Sequence, residues 1–315
     1  MIYTEPPASR KMAEMNRAYL ELYYSGEYQA LLKKKKLAGL IKEKRLSEIL
    51  KILKGRLIKK KLVNRPHDAS GEIKKDFGQI EAERYTWETD RLPSVVVYTC
   101  IVNGYDDLEE PGYINPAIDY VIFTDMEVRQ DSIWKKRDIS DYEQLKNRKP
   151  VEINRYVKLH PQEFFAEYDV SIYIDGTIML LADMMPVALN LGKKYFGVHR
   201  HAFRDCIYME AEGVIYSKRA DSGITRKQMK EYHENGYPEH AGLYENTILV
   251  RRHNQADCIR LMEAWWDEYM KYPTRDQISL PYVMWKCRIV EKDIYILGNS
   301  IEKNYRFRRK TEHRK

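Results

Sequence analysis

Ser94-Val95-Val96-Val97-Tyr98-Thr99 is apolar and β-branched until it closes on a hydroxyl, and it reads as a short strand buried on both faces. Two more runs of the same kind follow, Asp119-Tyr120-Val121-Ile122-Phe123-Thr124-Asp125 and Val170-Ser171-Ile172-Tyr173-Ile174-Asp175. Each also ends on a polar side chain, and stretches long enough for helices separate the three. The alternation predicts an α/β fold, a Rossmann-like, mostly parallel sheet flanked by helices, in which ligands bind beyond the carboxyl ends of the strands. Thr99, Asp125 and Asp175 are therefore expected on one rim. Further strands are expected at 195–199 and 247–251. Residues 257–272 read as a helix with Ile259, Met262, Trp266 and Tyr269 inward, stopped by Pro273.

Upstream of Pro93 the pattern changes. Residues 9–30 and 33–63 read as helices and 64–92 as a polar linker, which divides the chain into a basic helical extension (1–90), a main domain (91–300) and a basic tail (301–315). Residues 33–61 carry 13 Lys/Arg against Glu43 and Glu48, and residues 306–315 carry six against Glu312. The +7 net charge therefore sits at the two ends of an acidic body, which argues against a nucleic-acid partner. No run reaches the 18 or so apolar residues of a membrane span, and the first residues lack a basic-then-apolar signal, so a cytoplasmic location is expected. The four cysteines are far apart, which indicates neither a zinc cage nor a disulfide framework. The lysine-dense helix has two readings: its apolar side packs on the main domain, or it lies on an anionic membrane surface and makes the enzyme peripheral there.

Several polar groups are placed to act at the rim. Asp175 could hold a divalent cation, and Gly176 after it would let backbone approach a ligand closely, although Asp-Gly after a strand is equally a tight turn. Arg155 and Lys158 lie three apart on one helix face, where they could grip phosphates or stand solvated. His199 and His201, with Arg204 and Glu210 nearby, could be metal ligands or ordinary histidines. Glu245-Asn246 stands at the mouth of an apolar strand or closes a turn. Thr274 and Gln277 have capping-box spacing, which leaves Asp276 unexplained; helix N-termini also bind anions.

Taken in order, these pieces resemble the glycosyltransferase-like family that includes plant mucilage and pectin galacturonosyltransferases and bacterial surface-polysaccharide enzymes. The resemblance spans about residues 94–285. Its elements are Tyr98-Thr99 with Gly104-Tyr105-Asp106, Asp119 through Asp125, Trp134 and Arg137, Arg155-Tyr156-Val157-Lys158, and Tyr173-Ile174-Asp175-Gly176. They continue with His201, Arg204 and Glu210-Ala211-Glu212, then Glu245 through Arg251, Trp265-Trp266, and Arg275-Asp276-Gln277-Ile278-Ser279.

The resemblance implies a GT-A fold and a nucleotide-sugar donor, a UDP-sugar first among them, with a glycan or lipid-linked acceptor. It implies that Thr99, Tyr105 and Asp125 contact the nucleoside, that Arg155 and Lys158 hold the diphosphate, and that Gly176, His201 and Arg204 belong to the same pocket. Asp175 would hold Mn²⁺ or Mg²⁺, with His313 as a C-terminal ligand or part of a basic tail. Asp276 and Gln277 look like the pair that retaining enzymes place beneath the anomeric carbon; Glu245 would be the base if the reaction inverts. Tyr173 departs from the Asp-x-Asp metal motif, which expects an acid there. A non-catalytic nucleotide-sugar or glycan binder on the same fold is the competing expectation.

Overall fold

The computed structural model describes residues 1–43, 48 and 84–310. Strands β1 (Ile2–Thr4) and β2 (Arg84–Thr86) flank helices α1 (Pro7–Tyr23) and α2 (Gly26–Lys42) in the chain. The main body begins with β3 (Val95–Cys100), β4 (Ile118–Thr124) and β5 (Lys135–Asp138). Helices α3 (Pro150–Leu159) and α4 (Pro161–Phe164) lead into β6 (Val170–Ile174), β7 (Ile178–Leu180), α5 (Met185–Leu189) and β8 (Phe196–Arg200). Then come α6 (Ile207–Tyr216), α7 (Ser222–Glu234), β9 (Tyr244–Arg251), α8 (Ala256–Lys271), α9 (Asp276–Lys286), β10 (Tyr295–Ile296) and β11 (Phe307–Arg309).

Seven strands form one sheet in the order β10-β8-β9-β6-β3-β4-β5. Only β9 runs against the others; every remaining pair is parallel. This is the expected α/β, mostly parallel architecture flanked by helices. The apolar runs are continuous because both faces are covered. Val96, Tyr98, Tyr173 and Leu249 pack against Val157, Leu261, Trp265 and Leu280, whereas Val95, Val97, Ile172 and Val250 pack against Met184, Met185, Leu189 and Phe307. Val95 is level with both Ile118 and Val170, so the carboxyl ends of β3, β4 and β6 meet at one rim. The reversed strand β9 brings its amino end, Tyr244-Glu245, to that rim.

At both termini the chain departs from the expected boundaries. The helix break falls at Tyr24-Ser25 rather than near residue 32, because Ser25 Oγ accepts the Tyr28 N–H at 3.2 Å and starts α2. The N-terminal segment is stitched into the body: β1 pairs with β2, Glu5 clasps Arg306 through both carboxylate oxygens at 2.7 Å, and Asn16 donates to the Tyr305 carbonyl at 2.6 Å. Residues set apart as a tail include β11, which pairs with β7, and Arg306 is buried. In α8 the buried residues are Cys258, Leu261, Met262, Trp265, Trp266, Glu268 and Tyr269, with Ile259 only half-buried. Most of the lysine-rich stretch and His313 lie outside the described residues.

Candidate active site at the sheet rim

Helix α3 begins at Pro150, whose fixed φ suits a first helical position, and Asn154 ties it to the rim by donating to the Cys100 carbonyl at 2.7 Å. One turn on, Lys158 turns inward. Its side chain is 1% exposed; Nζ lies 2.7 Å from Asp276 Oδ2, 3.5 Å from Asp175 Oδ1 and 5.0 Å from the centre of the Tyr173 ring. An Arg155 guanidinium nitrogen stands 3.6 Å from Asp276 Oδ1. The solvated reading of this pair is overturned: both cations face the site because α3 packs against β3 and α8. The structure thus brings together four expected residues, Arg155, Lys158, Asp175 and Asp276, from α3, the end of β6 and the start of α9.

Asp276 is nearly fully buried, and Trp265 Nε1 holds its carbonyl at 3.1 Å. Burial pushes its carboxyl pKa up, but Arg155, Lys158 and Arg275 outweigh that and keep it well below the usual carboxylate range. Burial would likewise lower the Arg155 pKa, yet Asp276 and Asp175 raise it. Asp276 is thus held as a fixed anion. The capping box is not formed: Arg275 is the N-cap residue, Thr274 Oγ1 donates instead to Gln228 Oε1 at 2.8 Å, and the Gln277 amide donates to the Tyr244 carbonyl at 2.9 Å. Both side chains are drawn to neighbouring elements, so α9 enters the rim with Asp276 at its first turn, a favourable end for an anion.

Asp175-Gly176 forms a turn, with the Ile178 N–H reaching the Asp175 carbonyl at 2.9 Å, and Asp175 N–H bonds the Thr247 carbonyl at 2.8 Å. Space at Gly176 is tight against the protein itself. A Cβ there would lie 3.0 Å from Asp106 Oδ2 and from Ile101. Tyr173 replaces the paired acid, and its hydroxyl is kept protonated by burial first and by Asp175 second. Among the described residues no three acidic, histidine or cysteine side chains group as metal ligands. Asp175 faces an ammonium instead, so these residues do not by themselves fit a divalent ion.

The nucleoside-contact candidates lie at the end of β3 and in the loops after β3 and β4. Thr99 is buried with its hydroxyl unpartnered, while Tyr105 is 61% exposed on the loop after β3. Asp125, exposed at the end of β4, accepts the Asn103 N–H at 2.9 Å and so pins that loop where Asn103 adopts a φ of 58°.

Among the described residues His199 and His201 do not come together as metal ligands. His199 is fully buried, with Nε2 3.1 Å from the Asn304 amide, and desolvation together with Arg309 pushes its pKa down to about 3. His201 Nδ1 accepts the Arg204 N–H at 3.0 Å, and Arg204 pairs with Glu210. Glu245 lies across from His199 on β9, accepts the Ile301 N–H at 3.1 Å, and is raised to about 7 by burial against the opposing pull of Arg309. Next to it Asn246 is buried with both amide atoms unpartnered. Two participants received no role from sequence: Arg275, beside Asp276, and Asp106, against Gly176. Both stood inside quoted motifs, Arg275-Asp276-Gln277 and Gly104-Tyr105-Asp106, but only tertiary contact reveals them.

No curated protein matches the chain. Among solved structures it is distantly similar to the apo WbbM bifunctional glycosyltransferase, at 12% identity and TM-score 0.38, with 67% of this chain and 40% of that chain covered. It is also similar to the galactosyltransferase LgtC in complex with donor and acceptor sugar analogues, at 12% identity and TM-score 0.34, covering 60% and 70%. A third is mouse xyloside xylosyltransferase 1 in its apo form, at 9% identity and TM-score 0.35, covering 62% and 82%. The chain thus spans well under half the length of WbbM. Residues 74–309, which hold the whole rim cluster and every described element except β1, α1 and α2, match the TOD1/MUCI70, glycosyltransferase-like domain, and the chain belongs to that family.

Proposed function

We propose that the protein is an active, retaining glycosyltransferase that moves a sugar from a nucleotide-sugar donor, a UDP-sugar as first candidate, to a glycan or lipid-linked acceptor in surface-polysaccharide synthesis. The observation that carries this reading is Asp276 held as a buried anion between Arg155 and Lys158 at the carboxyl rim of the sheet. An anion of that kind stabilises positive charge building on a sugar ring, and the two cations suit the negative charge building on a leaving diphosphate. Before donor arrives the charges satisfy one another, which avoids an uncompensated buried ion. Gln277, fastened to the Tyr244 carbonyl, sets the orientation of the first turn of α9 beneath the site.

Tyr173 in the place of an acid favours the competing reading, a donor binder without turnover. The test is incubation of the purified chain with a panel of nucleotide sugars and mass spectrometry of released nucleotide and products, alone and with glycan acceptors. Donor-dependent nucleotide release that falls at least about 100-fold in Asp276→Asn supports the transferase. Donor binding with no release by the parent chain establishes the binder. The anomeric configuration of the product by NMR tests retention; inversion would transfer attention to Glu245 as base.

A further inference from the structure

The donor charge has to be met by something, and three cations stand at the rim. Arg155 and Lys158 both reach Asp276, Lys158 also reaches Asp175, and Arg275 directly precedes Asp276 as the N-cap residue of α9. Two of them also have unused donors: Arg155 Nε and Arg275 Nε are buried and make no hydrogen bond. A buried guanidinium N–H without an acceptor carries a desolvation cost that an anionic ligand would remove. The metal position, by contrast, is filled by the chain itself. Tyr173 stands where a paired acid is expected, its ring lies against Lys158, and the ammonium is fixed 3.5 Å from Asp175. An incoming divalent ion would have to bind that carboxylate beside a buried like charge.

Resting on the transferase reading above, we infer that the protein neutralises the leaving nucleoside diphosphate with Arg155, Lys158 and Arg275 and requires no divalent cation for this. In the transfer the bond from the sugar anomeric carbon to the phosphate oxygen breaks and its electron pair stays on that oxygen. The acceptor hydroxyl oxygen forms the new bond to the anomeric carbon, and its proton passes to the departing phosphate. The charge that appears is thus one negative charge on the phosphate, transient until the proton arrives. A fork of guanidinium N–H groups and an ammonium suits it in both shape and sign.

The experiment is calorimetric titration of the full chain, dialysed against EDTA, with UDP, GDP and ADP, then with Mn²⁺ or Mg²⁺ added. The expected result is that the tightest of the three binds in EDTA, that metal improves its Kd by less than about tenfold, and that the matching monophosphate binds at least about tenfold more weakly. Arg275→Gln, at a half-buried helix cap, should weaken diphosphate binding in EDTA by roughly 10- to 100-fold, as loss of a charge-assisted bond does. Its thermal melt checks that it is folded. Binding that needs metal, or that metal tightens more than about tenfold, overturns the inference. Parent-like binding by folded Arg275→Gln also overturns it. A chain that binds none of the three under either condition contradicts both this inference and the transferase reading. One that binds in EDTA but releases nucleotide from no donor contradicts only the transferase reading.

Discussion

Glu245 is pulled in opposite directions, upward by burial and downward by Arg309 and the Ile301 N–H, and burial wins. Its pKa rises from 4.5 to about 7, so the folded protein keeps a proton that the unfolded chain releases at lower pH. Its contribution to stability is complete below pH 4.5 and is lost as pH rises through about 7. Melting temperature measured against pH should therefore decline for the parent relative to Glu245→Gln between about pH 5 and pH 8, by an amount worth a few kcal/mol. Parallel curves would remove the buried proton. A second expectation concerns Asp276→Asn, which leaves the Lys158 ammonium buried without its closest anion. It should cost on the order of 3 kcal/mol in a denaturant titration, far more than Asp175→Asn, whose side chain is partly exposed. Equal losses would show that the ion pair is not the anchor. At this scale the sequence supplied the chemistry and not the pairing. Arg155, Lys158, Asp175 and Asp276 were each legible as polar groups in suggestive places, yet helix spacing alone left the cations free to point to water.

Elements were read more fully, because continuous apolar runs leave few alternatives to a strand covered on both faces. Strands β3, β4, β6 and β8 stand within a residue or so of their expected limits. Helix ends were less legible, since they depend on single contacts: the Ser25 hydroxyl divides α1 from α2, and Thr274 and Gln277 abandon their capping spacing for Gln228 and Tyr244. The β6–β7 turn offers a direct test of how tightly the elements are fitted. Gly176→Ala places a methyl 3.0 Å from Ile101 and Asp106 and should destabilise the fold by about 1–3 kcal/mol, while lowering turnover by shifting Asp175. Gly26→Ala, with open space around it, is the control and should leave both unchanged or slightly raise stability. If the two alanine variants melt alike, the contact at Gly176 is slack.

Over the whole molecule, charge is separated from chemistry: Lys33, Lys34, Lys35 and Lys36 are exposed on α2, beyond a body knitted at both ends by Glu5–Arg306. No helix among the described residues is long and apolar enough to cross a membrane. We propose that this basic turn of helix adds contact with anionic lipid at about 1 kcal/mol per lysine near the surface. Because β1 and α1 belong to the body, the test is charge reversal of those four lysines to Glu in the full chain, with sedimentation on phosphatidylglycerol vesicles at low and high salt. The parent should sediment at low salt only and the variant not at all; parent protein left in the supernatant at low salt would mean that the lysines are simply solvated. The parallel sheet with its reversed β9 was legible at this scale as a mostly parallel fold, whereas the stitching of the termini was not, because it rests on contacts some 300 residues apart in sequence. Whether the rim cluster transfers sugar is the central question. The measurement closest to it is nucleotide release from a panel of nucleotide sugars, followed by mass spectrometry, for the parent chain, Lys158→Met and Asp276→Asn. The expected result is release by the parent with one or a few donors and a fall of at least about 100-fold in each variant that remains folded. Release undiminished in folded Lys158→Met and Asp276→Asn, or none from any donor by the parent, would contradict it.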